Sequence, residues 1–334
     1  MSENILEVKD LVVHFETDDG CVKAVNGMNF SIGKKKTLGL VGETGAGKTT
    51  TALSILNLVP NPPGKIKEGS IILDGKNVLE MNEEELEAMR GNDVAMIFQD
   101  PMTALNPVYT IGFQIGENLK YHTDMNKKAQ RTRTLELLTQ MGISTPDKRI
   151  DQYPHEFSGG MRQRAMIAMA MSCNPKVLIA DEPTTALDVT IQAQIFELMG
   201  KLKEEHDTAI MLITHDMGVV SELADDVAVM YMGSIVEQGT AEEVLKHPAH
   251  PYTAALLKSI PVLGKGRSQK LEAIKGVTPD PYDRPKGCQF APRCDHACEK
   301  CLQIPPESIV CDGHMVRCWH ADKVYKNSRE EASV

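Results

Sequence analysis

Apolar residues over roughly the first 240 positions fall into two alternating patterns, short continuous runs and longer stretches with helical spacing. The short runs predict strands, and three of them are so apolar that both faces should be buried, as in a parallel sheet. The predicted strands are Thr37–Val41, Val94–Ile97, Val177–Ala180, Ala209–Thr214 and Val227–Met232. The predicted helices are Lys48–Leu56, Lys127–Met141, Met161–Met171 and Ile191–Glu205. This alternation predicts an α/β fold on a largely parallel sheet.

Two segments depart from the alternation. From about Pro101 to Cys173 the pattern is mostly helical, which indicates a helical subdomain inserted into the α/β core. After about Pro248, prolines punctuate the chain and regular periodicity fades. The predicted divisions are an α/β domain over 1–250 with the helical subdomain at about 101–173, a connection over 251–284, a cysteine-rich domain over 285–322 and a flexible polar tail over 323–334.

Charge and hydropathy exclude several classes of function. Lys and Arg number 36 against 46 Asp and Glu, so the net charge is −10 over 334 residues. Because nucleic-acid affinity depends on clustered basic residues, this balance argues against a nucleic-acid partner. No apolar run approaches the roughly 18–20 residues that span a bilayer, and the N-terminus lacks the features of a signal peptide. We therefore expect the protein to stay on the side of the membrane where it is made.

A phosphate-binding pattern, G-x-x-x-x-G-K-[ST], is matched in full by Gly42-Glu43-Thr44-Gly45-Ala46-Gly47-Lys48-Thr49. Its glycines let main-chain N–H groups point at phosphate oxygens, and the following helix adds partial positive charge. We expect Lys48 to reach the β- and γ-phosphates of ATP, the Thr49 hydroxyl to bind Mg²⁺ and Thr50 to contact the nucleotide. A chance glycine-rich turn is the alternative, and the strand before and helix after disfavour it.

An acidic pair, Asp181-Glu182, follows the buried strand Val177–Ala180 directly. An apolar strand that ends in two carboxylates fits the Walker B arrangement. Asp181 would then hold Mg²⁺, and Glu182 would polarise the attacking water as a general base, an effect worth roughly 10²–10⁴ in rate. A strand that simply ends in a polar turn is the alternative, which the phosphate-binding pattern makes less plausible.

Five weaker sequence features lie before, between and after the phosphate-binding pattern and the acidic pair. Each of them also has an ordinary structural explanation. Ser158 and Asp188 fit helix caps, Gln99 and His215 fit polar strand ends, and Phe15 fits a core position. Their order along about 200 residues nevertheless resembles that of the ABC ATPases. In that family they are the aromatic residue on adenine, the Q-loop, the signature loop, the D-loop and the H-loop. The corresponding residues are Phe15, Gln99, Ser158-Gly159-Gly160, Ala186-Leu187-Asp188 and His215.

Longer motifs narrow the resemblance to the ATP-binding subunits of oligopeptide/dipeptide importers, over nearly the whole chain. They are Phe98–Pro107, Tyr153–Arg164, His250–Leu257, Gly287-Cys288 and Val316-Arg317-Cys318. One departure is Met161, where the commoner ABC signature has glutamine; Ser158 and the glycines are kept. The resemblance implies an ABC nucleotide-binding fold, catalytic roles for Glu182, His215 and Gln99, and Mg²⁺ on Thr49, Gln99 and Asp181.

The resemblance also implies partners and a location. An ATP-binding subunit of this family works at the cytoplasmic face of the cell membrane. It acts with a second ATP-binding subunit, which in many members is a different, homologous chain, and with two membrane-spanning permease subunits and an external solute-binding protein. Each ATP lies between one subunit's phosphate loop and the other's signature loop. Nickel chelates and oligosaccharides are alternative cargoes. A soluble ABC ATPase acting on DNA or ribosomes is disfavoured by the acidic charge and the single cassette, and an iron–sulfur redox enzyme would need a second substrate pocket.

Six of the eight cysteines lie in one C-terminal stretch, Cys288, Cys294, Cys298, Cys301, Cys311 and Cys318. Since cytosolic proteins rarely hold structural disulfides, such a cluster indicates a metal site. The resemblance implies a [4Fe–4S] cluster on Cys288, Cys294, Cys301 and Cys318. Zinc is the alternative, with ligands from the nearby His296, His314 and His320, although the first cysteine spacing is too long for a tight zinc knuckle. The roles of Cys298 and Cys311 stay open.

Overall fold

A computed structural model of the chain describes residues 4–184, 187–259, 273–311 and 313–332. Ala186 of the expected D-loop lies outside these residues, as does the middle of the predicted connection. The described chain forms two compact units. The first consists mainly of Ser31–Thr37 and Ile72–Ile213, and the second of Glu7–Phe30, Leu38–Ile71 and the described residues from Thr214 onward.

Twelve strands and thirteen α-helices occur within the described residues. The strands are β1 (Asn4–Thr17), β2 (Gly20–Gly33), β3 (Thr37–Val41), β4 (Gly64–Leu73), β5 (Lys76–Asn77), β6 (Val94–Ile97), β7 (Val177–Asp181), β8 (Ala209–Thr214), β9 (Asp226–Tyr231), β10 (Ser234–Thr240), β11 (Ile309–Cys311) and β12 (His314–Val316). The helices are α1 (Lys48–Ile55), α2 (Glu83–Met89), α3 (Pro101–Ala104), α4 (Ile111–His122), α5 (Lys127–Gln140), α6 (Pro146–Arg149), α7 (Gly159–Ala170), α8 (Val189–His206), α9 (Met217–Leu223), α10 (Ala241–Lys246), α11 (Pro251–Lys258), α12 (Glu299–Gln303) and α13 (Ala321–Ala332).

The first unit contains the parallel strands β6, β7 and β8, which are buried along their whole length, as their apolar runs predict. The register pairs Ile97 with Ala180 and Asp181 with Ile213, so the carboxyl ends of these strands lie level. Polar residues that follow the strands are thereby brought to one edge of the sheet.

Between Pro101 and Cys173 the chain forms α3 to α7 and no strand, as its pattern predicts. Helices α4, α5 and α7 pack on one another, and α7 also packs against β6. Side chains of Thr110 and Asn126 cap α4 and α5 by accepting main-chain N–H groups in the first turn. None of the helices in the described parts of the chain combines the length and apolar character needed to cross a bilayer.

The second unit contains a mixed sheet with the order β3-β9-β10-β12-β11. Strand β3 runs parallel to β9, and the remaining pairs are antiparallel. Its core packs Val41 and Val229 from the strands against the rings of Tyr231, Tyr252 and Phe290. Most of β1, β2 and β4 also belongs to this unit, in the order β2-β1-β4. These long strands were not predicted, because buried and exposed positions mix along them instead of forming an apolar run.

The cysteine-rich segment is integrated into the second unit. Strand β12 pairs with β10, with Glu237 opposite Val316, and Phe290 is buried in the same core as β9. The chain end also differs from the prediction of a flexible tail over 323–334, because α13 occupies Ala321–Ala332. Helix α13 is mostly polar but has one apolar face, on which Val324 is buried and Tyr325 packs beside Val316.

A buried carboxylate ties these C-terminal elements together. Glu237 on β10 has no exposed surface, and its Oε1 lies 2.8 Å from Nε2 of His314 on β12. The same carboxylate accepts the main-chain N–H groups of Ala249 at 2.7 Å and His250 at 3.0 Å. Each partner is therefore satisfied away from water, as a buried polar group requires.

Replacing Glu237 with alanine should lower the free energy of unfolding by about 3 kcal/mol or more, because two buried N–H groups and His314 would lose their acceptor. Denaturant unfolding measures the loss. Glu242→Ala is the matched control, since Glu242 is an exposed residue of α10 paired with Lys246, and its cost should stay within about 0.5 kcal/mol. Equal losses in the two variants would contradict the role assigned to the Glu237 network.

Candidate functional site

The phosphate-loop residues Gly42 to Thr49 connect β3 to α1 in the second unit. Gly42 and Gly47 have φ angles of 152° and 100°, in the region that favours glycine. A Cβ on Gly42 would lie 2.2 Å from the carbonyl oxygen of Met230, and one on Gly47 would lie 2.3 Å from that of Ala24. The backbone of this loop therefore packs too closely against its neighbours to admit a side chain at either position.

Lys48 begins α1 and is buried, with its ammonium turned back into the loop. Its Nζ donates to the carbonyl oxygens of Gly42 at 2.7 Å and Glu43 at 3.0 Å. Thr44, Gly45 and Thr49 are exposed. The loop thus presents a cation, exposed main chain and a hydroxyl side by side, which suits a phosphate group with a bound divalent cation.

Glu43 is the one acidic residue of this loop, and its side chain turns away toward the C-terminal region. Arg293 donates to both carboxylate oxygens, at 2.6 Å and 2.9 Å, and Thr278 Oγ1 lies 3.2 Å from Oε2. The hydrogen bonds from Arg293 hold the pKa of Glu43 below its usual range. The pair could not be predicted from the sequence, because the two residues are 250 positions apart and no motif joins them.

The acidic pair lies in the first unit at the carboxyl end of β7. Asp181 is the last residue of the strand and is buried, and Glu182 follows with φ of 47°, an uncommon value for a residue with a side chain. The Glu182 N–H donates to the carbonyl of Ile213 at 2.9 Å, which fixes this conformation. Gln99, just after β6, donates from Nε2 to Glu182 Oε2 at 2.9 Å. The structure therefore brings together two predicted catalytic side chains.

The predicted signature and D-loop residues both cap helices in the first unit. Ser158 Oγ accepts the N–H of Met161 at the start of α7, and Asp188 Oδ1 accepts the N–H of Ile191 at the start of α8. These contacts match the ordinary structural explanation of each residue. Gly159 and Gly160 form the first turn of α7, and a Cβ on Gly159 would meet no atom within 4 Å.

Two further predicted residues belong to the second unit. His215 directly follows β8 and precedes Asp216, which caps α9. Phe15 lies near the end of β1, half-buried, and a Cβ on Gly64 would come within 2.9 Å of its ring. Gly64 therefore accommodates the aromatic ring.

Four of the cysteine thiols converge in the second unit. The pKa of Cys318 is raised to about 12 and that of Cys294 to about 11, mainly by burial and in smaller part by the neighbouring Cys288 and Cys301. The four sulfurs that the sequence predicts as ligands are thus close enough to influence one another. Such thiols are neutral near pH 7 unless a metal cation takes the proton's place.

Main-chain N–H groups point at two of these sulfurs. The N–H of His296 lies 3.4 Å from Cys294 Sγ, and the N–H of His320 lies 3.3 Å from Cys318 Sγ. Hydrogen bonds of this kind stabilise thiolates in metal centres. The donor set therefore fits a metal that binds sulfur.

A second, overlapping set of metal-binding atoms comprises Cys298, Cys301 and His320, whose ligand atoms lie within 4.8 Å of one another. Their two sulfurs are 3.5 Å apart, and Nε2 of His320 is buried without a hydrogen-bond partner. Two thiols and an imidazole suit zinc. His320 is among the zinc ligands predicted from the sequence, whereas its proximity to Cys298 was not predicted. His314, another candidate, lies against Glu237.

Comparisons with known proteins agree with the motifs. The family profile described as “ABC transporter” matches residues 25–185, and the profile described as “Oligopeptide/dipeptide transporter, C-terminal region” matches residues 236–301. The oligopeptide transport ATP-binding protein OppD of Bacillus subtilis is 52% identical over 316 residues, covering 94% of this chain and 88% of its own. The dipeptide transport ATP-binding protein DppD of Haemophilus influenzae is 49% identical over 314 residues, covering 94% of each chain.

Solved structures share the fold. A dimeric ATP-binding cassette in a post-hydrolysis state with ADP and phosphate superposes with a TM-score of 0.65 at 25% identity, covering 71% of this chain and 98% of that one. The cassette cbiO1 of Clostridium perfringens gives a TM-score of 0.59 at 27% identity, covering 73% and 91%. The α/β cassette fold predicted from the sequence is confirmed. With about half of its residues identical to OppD and DppD over nearly its whole length, the chain belongs to the oligopeptide/dipeptide family of ABC transporter ATP-binding proteins.

Proposed function

We propose that this chain binds and hydrolyses ATP to power the import of peptides. The observation that carries the proposal is the loop at Gly42 to Thr49, whose close-packed glycines and inward-turned Lys48 leave a cradle suited to phosphate. The peptide cargo is supported by the names of the relatives, which are oligopeptide and dipeptide transport proteins. Nickel chelates and oligosaccharides are the alternative cargoes.

Residue roles follow from chemistry at these positions. Lys48 would pair with the β- and γ-phosphates, while the loop from Gly42 to Thr50 would surround them. Thr49, Gln99 and Asp181 offer the oxygen ligands that Mg²⁺ prefers, and this ion would neutralise phosphate charge when bound. We assign Phe15 to the adenine face, since its ring is half-buried on β1.

Glu182 is the proposed general base. Its uncommon backbone conformation aims the carboxylate from a rigid strand end, and the hydrogen bond from Gln99 holds one oxygen in place. An ionised carboxylate so held can accept a proton from an attacking water. His215, at the end of β8, is the third proposed catalytic residue.

The chain would act with partner subunits. We propose that Ser158, Gly159, Gly160 and Asp188 face the nucleotide of a second, homologous ATP-binding subunit, because a single phosphate-loop motif is present here beside one signature motif. Two membrane-spanning permease subunits and an external solute-binding protein complete the proposed assembly. Its site of action would be the cytoplasmic face of the membrane, with no nucleic acid involved.

A patch of exposed apolar side chains near α3 and α4 supports a permease contact. Its members are Met102, Val108, Tyr109 and Phe113, of which Val108 is 69% exposed. Tyr109 and Phe113 stack with ring centroids 4.7 Å apart. Exposed apolar clusters of this kind mark interaction surfaces, and this one follows Gln99 closely in the chain.

Glu182→Gln should keep ATP binding and lower turnover by about 100-fold or more, because the amide cannot accept the proton from water. Lys48→Ala should instead weaken ATP binding, since it removes the cation of the loop. Titration calorimetry measures binding, and phosphate release by the assembled transporter measures turnover. Glu197→Gln is the matched control, an exposed residue of α8 paired with Lys201, and should behave as wild type. Turnover of Glu182→Gln within a few-fold of wild type would rule out this base.

For the cysteine segment we propose a [4Fe–4S] cluster on Cys288, Cys294, Cys301 and Cys318. The four thiols lie near one another in the second unit, and two of them, Cys294 and Cys318, are raised in pKa by burial and approached by main-chain N–H groups, which supports this set. The cluster would cross-link the segment. Zinc on Cys298, Cys301 and His320 is the alternative, favoured by the orphaned Nε2 of His320.

Protein purified without oxygen should contain about four irons and four sulfides per chain and be brown. Serine at Cys288, Cys294 or Cys318 should each bleach it, whereas serine at Cys298, the matched control, should not. Metal analysis and visible absorption check both statements. One zinc and no iron, with loss of zinc in Cys298→Ser and His320→Ala, would contradict the cluster and select the alternative site.

A further inference from the structure

Glu43 places a carboxylate in the loop that we assign to the phosphates of ATP. An unpaired negative charge at this position would repel the ligand, and the repulsion would be strong because the loop is partly shielded from water. Here the side chain is 28% exposed and is gripped by both terminal nitrogens of Arg293. A two-point contact of this geometry fixes direction as well as charge.

Arg293 is itself held in place. Its side chain is 5% exposed, and Nε donates to the carbonyl oxygen of Lys275 at 2.9 Å. The guanidinium lies 5.9 Å from the ring centroids of both Tyr231 and Phe290. Three contacts outside the phosphate loop therefore hold the guanidinium in place, and the Glu43 side chain pairs with a cation that is already fixed.

A second contact restrains the main chain of Glu43. Its N–H donates to the hydroxyl of Tyr252 at 2.9 Å, while its carbonyl oxygen accepts from Lys48. Tyr252 is fully buried and packs its ring 5.3 Å from that of Phe290. The residue is thus held at its N–H, its carbonyl and its side chain, and two of those contacts come from the C-terminal region.

We propose that Arg293 is a positioning residue for ATP binding, which neutralises Glu43 and holds the phosphate loop ready for nucleotide. The inference rests on the proposed ATP-binding function of that loop. Arg293 directly precedes Cys294 and closes the turn Ala291–Arg293. ATP affinity should therefore depend on the folded state of the cysteine segment, so that the chain couples these two regions.

The test measures the dissociation constant for ATP with Mg²⁺ on the purified full chain by calorimetry. Arg293→Met should weaken binding roughly tenfold, within the range of coupling between sites. The double variant Glu43→Gln/Arg293→Met should recover most of that loss, because no unpaired carboxylate remains beside the phosphates. Arg317→Met is the matched control. Arg317 also directly precedes a cysteine, but its Nε donates to Ser308 and not to the phosphate loop. The ATP affinity of Arg317→Met should therefore equal that of wild type.

The outcomes separate this role from the proposed function. If the wild-type chain fails to bind ATP, or if Lys48→Ala binds as wild type, the proposed function fails. If both behave as expected while Arg293→Met stays within about twofold of wild type, or the double variant recovers nothing, the positioning role is overturned. A purely structural role would lower the melting temperature without this recovery. Should Arg293→Met not fold, Arg293→Lys keeps the charge, and an affinity between wild type and Lys48→Ala is expected.

Coupling to the cysteine segment has its own test. Cys294→Ser should weaken ATP binding in the wild-type background and have little further effect in Glu43→Gln/Arg293→Met, because the contact that transmits the change is already gone. Cys173→Ser, in the first unit, is the control and should not alter affinity. Unchanged ATP affinity in Cys294→Ser would overturn the coupling.

Discussion

Close backbone packing around the phosphate loop is the constraint on which the rest of this structure depends. At Gly42 and Gly47 the carbonyl oxygens of Met230 and Ala24 occupy the space of a side chain, so a side chain at either position would have to displace β9 or β2. This close packing supports the main-chain N–H groups and Lys48 from two neighbouring strands. A phosphate site built this way loses little free energy to reorganisation when it binds.

The cysteine segment contacts the phosphate loop through side chains, chiefly the pair of Arg293 and Glu43. The clustered cysteines of this segment predict a metal site. The structure gives the segment strand pairing between β12 and β10, a buried carboxylate at Glu237 and an aromatic anchor at Phe290. The proposed metal would therefore add to an existing scaffold. A metal bound there would affect ATP binding through Arg293, which links the segment to the phosphate loop by its contact with Glu43.

Local signals predicted the buried strands well. Continuous apolar runs marked β3, β6 and β8 at their observed bounds, since strands buried on both faces leave little ambiguity. The hydrogen bond between Gln99 and Glu182 follows from the level ends of β6 and β7. The pairing of Glu43 with Arg293 could not be predicted, because it depends on tertiary packing over 250 positions. Helix α13 was missed because its few apolar residues are scattered among charges.

Hydrogen–deuterium exchange on the full chain, with and without ATP and Mg²⁺, tests most directly whether the phosphate loop and the cysteine segment respond together. Amide exchange reports local opening, so a rigidly joined pair should be protected as a pair. Slower exchange on nucleotide addition is expected both at residues 42–49 and at residues 288–294. Protection confined to 42–49 would contradict the coupling, and unchanged exchange at 42–49 would contradict the phosphate site itself.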